Sequence, residues 1–259
     1  MSETLIGLLE SWGVSRAEDQ IQYLMGSTIP FAIWETLYVT VLATVFAYAI
    51  GLPLGVILVT GEAGGIRPLP PALMKVINVV VNLLRSVPFT ILMVCALPLS
   101  RLILGTSIGT TATIVPLTLA AAPFVARVVE SSLREMDRGV IEAAQAMGCS
   151  PWQIVTKVLL PECLPSLISG FTTSFITILS YGAMSGAIGG GGLGKIAINY
   201  GYYRYQPAVM LVAVVLIVIL VQIFQSLGTY FAVSLDRRIT NKRSKAAGKK
   251  HRAEKAGLQ

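Results

Sequence analysis

The sequence predicts an all-α integral membrane protein of five spanning helices, with a helical cytoplasmic loop between the third and the fourth. Three observations predict it. Of 259 residues, 54% are hydrophobic and only 13% charged, about half the charge of a soluble domain, and the mean hydropathy is +0.72. Acidic residues are absent from Ala63 to Val129 and again from Cys163 to Leu235, so charge is confined to short loops between long apolar runs. Lysine and arginine fall unequally on the two sides that those runs define.

A helix crosses the hydrocarbon core in about 20 apolar residues. The first qualifying stretch is Thr36 to Val59, with Trp34 and Tyr38 as interfacial anchors. The second runs from Val76 to Pro98, the third lies between Leu102 and Ala126, the fourth within Cys163 to Gly194, and the fifth within Gln206 to Leu235. With the C-terminus in the cytoplasm, five spans place the N-terminus outside. The cytoplasmic side then carries 15 Lys and Arg, nine of them from Arg237 to Lys255, against four outside (Arg16, Arg101, Lys195 and Arg204). That asymmetry obeys the positive-inside rule.

The organisation expected is an extracytoplasmic segment over residues 1–30, a transmembrane domain over 31–235 with its loop at 138–163, and a disordered basic cytoplasmic tail over 236–259. The first 30 residues carry Glu3, Glu10, Glu18 and Asp19 and no basic start, unlike a secretory signal. The tail reads as topological anchoring and attraction to anionic lipid, not as a nucleic-acid arm. Cys95, Cys149 and Cys163 form an odd, scattered set, which argues against a disulfide framework, and His251 is the one histidine, so no His/Cys metal cluster is available.

From Arg127 to Leu164 the chain is too charged to span a membrane and too patterned to be a linker. Ile141 to Met147 is a short helix-forming run, and Gly148 is a natural stop. Ser150 and Pro151 restart a helix as N-cap and first helical residue. That second helix carries Trp152, Val155, Val158 and Leu159 at three-four spacing, and Pro161 ends it. Two short amphipathic helices therefore present an apolar ridge that wants a partner groove.

These residues resemble the signature of binding-protein-dependent ABC importer permeases. The pattern is E-A-A, three residues, G, nine residues, a branched apolar residue, one more, then L-P. Here it is met by Glu142, Ala143, Ala144, Gly148, Val158, Leu160 and Pro161. The resemblance implies the type I ABC importer permease fold and makes this segment, with Trp152, the coupling helix seated in a cleft of a separate ATPase. Glu142 would pair with a basic residue there, and Ala143 and Gly148 would permit close approach.

Further segments resemble methionine importers from Trp34 to Leu235: Trp34-Glu35-Thr36-Leu37, Leu84-Arg85-Ser86-Val87-Pro88-Phe89, Gly105-Thr106-Ser107-Ile108-Gly109, Ala122-Pro123-Phe124, Tyr181-Gly182-Ala183-Met184, Gly191-Gly192-Leu193-Gly194 and Tyr200-Gly201-Tyr202. The resemblance implies a permease for L- and D-methionine in a bacterial cytoplasmic membrane. Two copies would pair around one path, with two ATPase subunits below and a methionine-binding (lipo)protein outside. The chain has no G-x-x-x-x-G-K-[ST] with which to cradle nucleotide itself. It offers no assembled nucleophile and base, so neither an enzyme activity nor a cofactor is expected. A permease for another small solute is the near alternative. A secondary carrier is the distant one, disfavoured because the expected path holds no carboxylate to couple protons or sodium.

Residues inside the membrane carry the remaining expectations. Asn78, Asn82 and Arg85 share one face of the second span, either as a polar seam in the bundle or as an amphipathic cytoplasmic extension of a span that starts at Ser86. Tyr181 and Met184 share a face of the fourth span and either line the path and gate or serve helix packing. Gly189-x-Gly191-x-x-Gly194 matches a dinucleotide fingerprint in form only, for no strand precedes it and no acid follows before Asp236. A tight re-entrant turn is the expected role of those glycines, against plain loop filler.

Overall fold

The computed structural model describes Gly26 and residues 28–235, and every regular element among them is helical. The basic tail, 236–259, and residues 1–25 and 27 lie outside the described residues. In chain order the elements are α1 (Thr28–Thr60), α2 (Pro71–Ser86), α3 (Phe89–Leu104) and α4 (Ile114–Leu133), the last preceded by a 3-10 turn at Thr111–Thr113. Next come α5 (Arg138–Ala146) and α6, a rod that is α-helical over Pro151–Gln153, π-helical over Ile154–Leu159 and α-helical again over Leu160–Glu162. α7 (Leu164–Ser185) ends in a 3-10 turn at Gly186–Ile188, α8 (Gly192–Ile196) continues as a π turn over Ala197–Tyr202, and α9 is Pro207–Leu235.

Four of these helices are long and apolar enough to cross a membrane, and the pair α2–α3 makes a fifth span if counted as one. The second span is thus not the straight helix expected from Val76 to Pro98. Its halves meet at 108°, because Val87, ahead of Pro88, is driven to an extended conformation with ψ 131°. The third span also differs. α3 stops at Gly105, which takes φ +77°, and the crossing helix α4 runs on seven residues past the expected end at Ala126, through Arg127 and Glu130. The first helix already starts at Thr28, inside the segment set apart as 1–30.

α1 and α4 form the centre of the bundle. Ala43, Ala47, Gly51 and Gly55 recur every fourth residue along α1 and are all buried. Such a stripe of small residues lets backbones approach closely where lipid supplies no hydrophobic drive between helices. A Cβ on Gly55 would lie 2.7 Å from the Ala126 carbonyl oxygen and 2.7 Å from Val129 Cβ. Thr36, Thr40 and Thr44 face the same interior, and each hydroxyl donates to the carbonyl four residues back at 2.7–2.8 Å. Their polar groups are satisfied within the helix, as an apolar solvent demands. The opposite face of α1 and most of α9 expose large apolar side chains such as Phe31, Val45, Val218 and Phe231.

The core continues past the membrane bundle. Leu133 and Met136 at the end of α4 join Leu159 and Cys163 at the end of α6, with Ile141, Val158 and Leu160 packed against them. The inner face of the loop is thereby fused to the bundle. Substituting Gly55→Leu should force α1 and α4 apart and cost about 1–3 kcal/mol, typical of an overpacked interface. Thermal unfolding of the purified chain in detergent should show this as a lowered midpoint, with Gly26→Leu, which meets nothing within 4 Å, as the unaffected control.

Candidate functional site

The loop between α4 and α7 is a self-capped unit that stands clear of the bundle on one side. α5 begins at Asp137, whose carboxylate accepts the Gly139 N–H at 2.8 Å, satisfying a donor the first turn leaves open. The helix therefore starts three residues before the helix-forming run read from sequence. It ends as expected at Gly148, which takes φ +79°. There the Gly148 N–H donates to the Gln145 carbonyl at 2.9 Å and the Cys149 N–H to that of Ala144 at 3.2 Å, the paired bonds of a Schellman stop. Ser150 then caps α6 through a reciprocal box with Gln153.

Pro161 does not end this helix. The π turn before it, in which the Leu160 N–H reaches the Val155 carbonyl, is wider than an α turn and gives the proline ring room. The chain continues to a bend at Cys163. The π turn also splits the expected ridge. Each residue advances by a smaller angle than in an α turn, so Leu159 points into the core while Trp152 points away. Of the signature residues, Ala144 is buried and Leu160 is half-buried, whereas Glu142, Ala143, Gly148, Trp152 and Pro161 are exposed. Met147 and Trp152 are 76% and 75% exposed, an apolar pair with no cover among the described residues.

Behind the loop lies a charged seam. Arg127 of α4 donates to Asn78 Oδ1 at 2.8 Å, to Asn82 Oδ1 at 2.9 Å and to Glu130 at 2.5 Å. Arg134 donates to the same Glu130 at 2.8 Å and to Glu62 in the α1–α2 connection. The hydrogen bonds that Arg134 donates to Glu62 and then to Glu130 push its guanidinium above its ordinary pKa. Asn78, Asn82 and Arg85 therefore do share one face of α2, beside an open cavity of about 450 Å³ that Arg127, Glu130 and Arg134 also line. α2 is an angled helix, and its polar side is hydrogen-bonded to α4 through Arg127.

The α2–α3 break opens on a second cavity of about 330 Å³, lined by Arg85, Phe89, Leu92, Phe124 and Tyr181 among others. The Tyr181 ring stacks on Phe89 with centroids 3.8 Å apart and planes 12° from parallel. Met184, 50% exposed, does not line it.

Sequence reasoning missed a cluster at the far end of the bundle. Glu35, inside α1, accepts the Thr110 hydroxyl at 2.5 Å on one carboxylate oxygen and the Gly192 N–H at 2.9 Å on the other. Next to it the Thr36 hydroxyl oxygen accepts the Leu193 N–H at 2.9 Å. The partners are 75 and 157 residues away, so no local pattern marks them. The signals available were the glycines of the 189–194 turn and the family-like segments Trp34-Glu35-Thr36-Leu37 and Gly105-Thr106-Ser107-Ile108-Gly109, none of which says that the pieces meet. The glycines form a tight turn, as expected, with Gly189 at φ +92° and Gly192 at φ +77°.

Comparison with known proteins places this geometry in a family. Residues 51–241 match the family model described as the binding-protein-dependent transport system inner membrane component. The probable D-methionine transport system permease protein MetI of Vibrio cholerae is 50% identical over 207 residues, covering 80% of this chain and 92% of that protein. MetI of Escherichia coli, a D-methionine transport system permease protein, is 49% identical over 154 residues, 60% of this chain and 70% of that protein. Among solved structures, a chain of the MetNI methionine ABC transporter in inward-facing conformations superposes with a TM-score of 0.80 at 45% identity, over 86% of this chain and all of that one. An amino acid ABC transporter at 17% identity and a TM-score of 0.69 shares the fold. The chain belongs to the binding-protein-dependent transport system inner membrane components.

Proposed function

We propose that this chain is the permease subunit of an ATP-driven methionine importer, in which two copies form one translocation path and each seats its 138–163 loop on a separate ATPase subunit. The observation that carries the reading is the loop itself. It is rigid by capping, fused to the bundle on its inner face and apolar on its outer face, where Met147 and Trp152 are exposed. A surface of that kind is completed by a partner groove. The relatives named as methionine permeases supply the cargo, and the loop signature supplies the ATPase. A binding protein that delivers L- or D-methionine to the opposite face completes the assembly.

The loop end is assigned to the cytoplasm and the N-terminus to the outside, since 15 of the basic residues then lie on the inner side and four on the outer. In this orientation ATP-driven closure of the ATPases moves α5 and α6 together. The shared core of Leu133, Met136, Leu159 and Cys163 passes that motion to α4 and α7. Arg127 carries it on to α2 through Asn78 and Asn82, and so to the break that lines the cavity under Tyr181. Tyr181, Met184, Asn78, Asn82 and Arg85 are assigned to the path and its inner gate. Glu142, Ala143, Ala144, Gly148, Trp152, Leu160 and Pro161 are assigned to coupling.

Glu142 makes no hydrogen bond or ion pair among the described residues, and a Cβ at Gly148 meets nothing within 4 Å. Glu142→Lys therefore disturbs little inside this chain and its effect falls on the partner, whereas Gly148→Asp adds strain at the φ +79° stop to its effect on the partner. Each should lower methionine uptake by the reconstituted complex roughly tenfold or more, as loss of an interface hot spot does, while insertion in the membrane is unchanged. Full uptake by both variants would remove the coupling role. Uptake of labelled methionine into proteoliposomes should require the ATPase, ATP and the binding protein together. Transport without ATP, or strict dependence on a different solute, would overturn the assignment.

A further inference from the structure

The Glu35 cluster joins three segments that are distant in sequence: α1, the 105–113 connection and the glycine turn between α7 and α8. Besides the bonds to Glu35 and Thr36, the Gly109 N–H donates to the Gly189 carbonyl at 2.9 Å. The turn is seated so closely that a Cβ on Gly191 would lie 2.2 Å from Thr110 Oγ1 and 2.8 Å from Glu35 Oε2. Its other side is equally tight, since a Cβ on Gly194 would lie 2.1 Å from the Ala183 carbonyl oxygen on α7. The helix that carries Tyr181 is thus tied at its far end to Glu35 through the glycine turn, which packs on side chains at one edge and on the α7 backbone at the other.

The position of the carboxylate matters. α1 has 33 residues, about 50 Å at 1.5 Å per residue, against a hydrocarbon core of about 30 Å. Glu35, seven residues after Thr28, therefore sits near the boundary of that core. Seated, it is satisfied by protein donors in place of water; released, it would be satisfied by water. Either state hydrogen-bonds the carboxylate fully, and the intermediate one, with a carboxylate stripped of donors at the edge of lipid, is costly. A group with two satisfied states and a penalised midpoint suits a two-position element. The chain is also similar to a transporter solved in inward-facing conformations, the state in which an alternating-access importer keeps its outer side shut.

We propose that Glu35 is the latch of the outer gate: it holds the 189–194 turn and the 105–113 connection together in the resting state and releases the Gly192 N–H and Thr110 hydroxyl when the path opens outward. This rests on the importer reading given above. Glu35 is a positioning residue, acting through the turn and not on the cargo.

Amide hydrogen exchange reads the latch directly, because Glu35 holds the Gly192 N–H and Thr36 beside it the Leu193 N–H. In the wild-type complex with its ATPase, exchange of the peptide spanning 189–196 should be slow at rest and rise several-fold when nucleotide is trapped with orthovanadate. Glu35→Ala at rest should exchange like the trapped wild type, and its ATP hydrolysis without binding protein should rise several-fold. Glu35→Gln, which keeps an acceptor oxygen, should fall between. Exchange in the α9 peptides, equal in all variants, checks that the fold is intact, and Thr110→Val serves as a second variant if Glu35→Ala does not assemble. Equal exchange at rest and when trapped would make the cluster a static strut and overturn the latch. So would unchanged exchange and hydrolysis in both Glu35→Ala and Thr110→Val. If the wild-type complex neither hydrolyses ATP nor moves methionine, the importer reading fails instead, whatever the peptide does.

Discussion

Glu130 is a nearly buried carboxylate on a membrane-spanning helix, and the charged seam behind the loop depends on it. It is 7% exposed and lies between Arg127 and Arg134. Removing one partner from a buried charge of this kind costs about 3–5 kcal/mol, whereas an exposed pair such as Arg134 with Glu62 contributes at most about 1. The arginines are therefore fixed by Glu130, and each then fixes something else. Arg127 holds the polar face of α2, and Arg134 holds the α1–α2 connection. Three segments, α4, α2 and the α1–α2 connection, meet around one carboxylate at the loop end of the bundle.

The two ends of the molecule solve the same problem in different ways. At the loop end, charges satisfy one another and apolar side chains continue the core from the bundle into the loop. At the far end, one carboxylate and backbone donors are fitted together by glycine, beside an apolar cluster in which Leu193 and Ile196 pack with Ile29 and Val209. The first arrangement is a rigid joint. The second hangs on a few polar contacts around Glu35, the ones the proposed latch would release.

Much of this was legible in the sequence, for reasons that identify what was not. The capped halves of the loop could be read because Gly148 and Ser150-Pro151 act on their immediate neighbours. The five apolar runs were visible because lipid admits little else. The break at Val87-Pro88 was also written locally, in the restriction a proline places on the residue before it, yet an apolar run of the right length outweighed it. The end of the third span was set too early at Ala126, since charge counting treats Arg127 and Glu130 as solvent-facing. On the helix they stand three apart and neutralise one another. The turn of the π segment, which buries Leu159 and lets Pro161 pass, has no reliable local signature. The Glu35 cluster had none either, being assembled from pieces that only the fold brings together.

The central claim is that the outward face of the 138–163 loop seats on an ATPase, and Cys149, partly exposed beside Gly148, allows it to be tested with a native side chain. With exposed Cys95 replaced by alanine and buried Cys163 left in place, a short thiol-to-amine cross-linker should join Cys149 covalently to the ATPase subunit in the assembled complex. A cysteine placed at Ile108, at the other end of the bundle, should give no such product. Absence of the Cys149 adduct in a complex that still hydrolyses ATP, or an equal yield from position 108, would contradict the account.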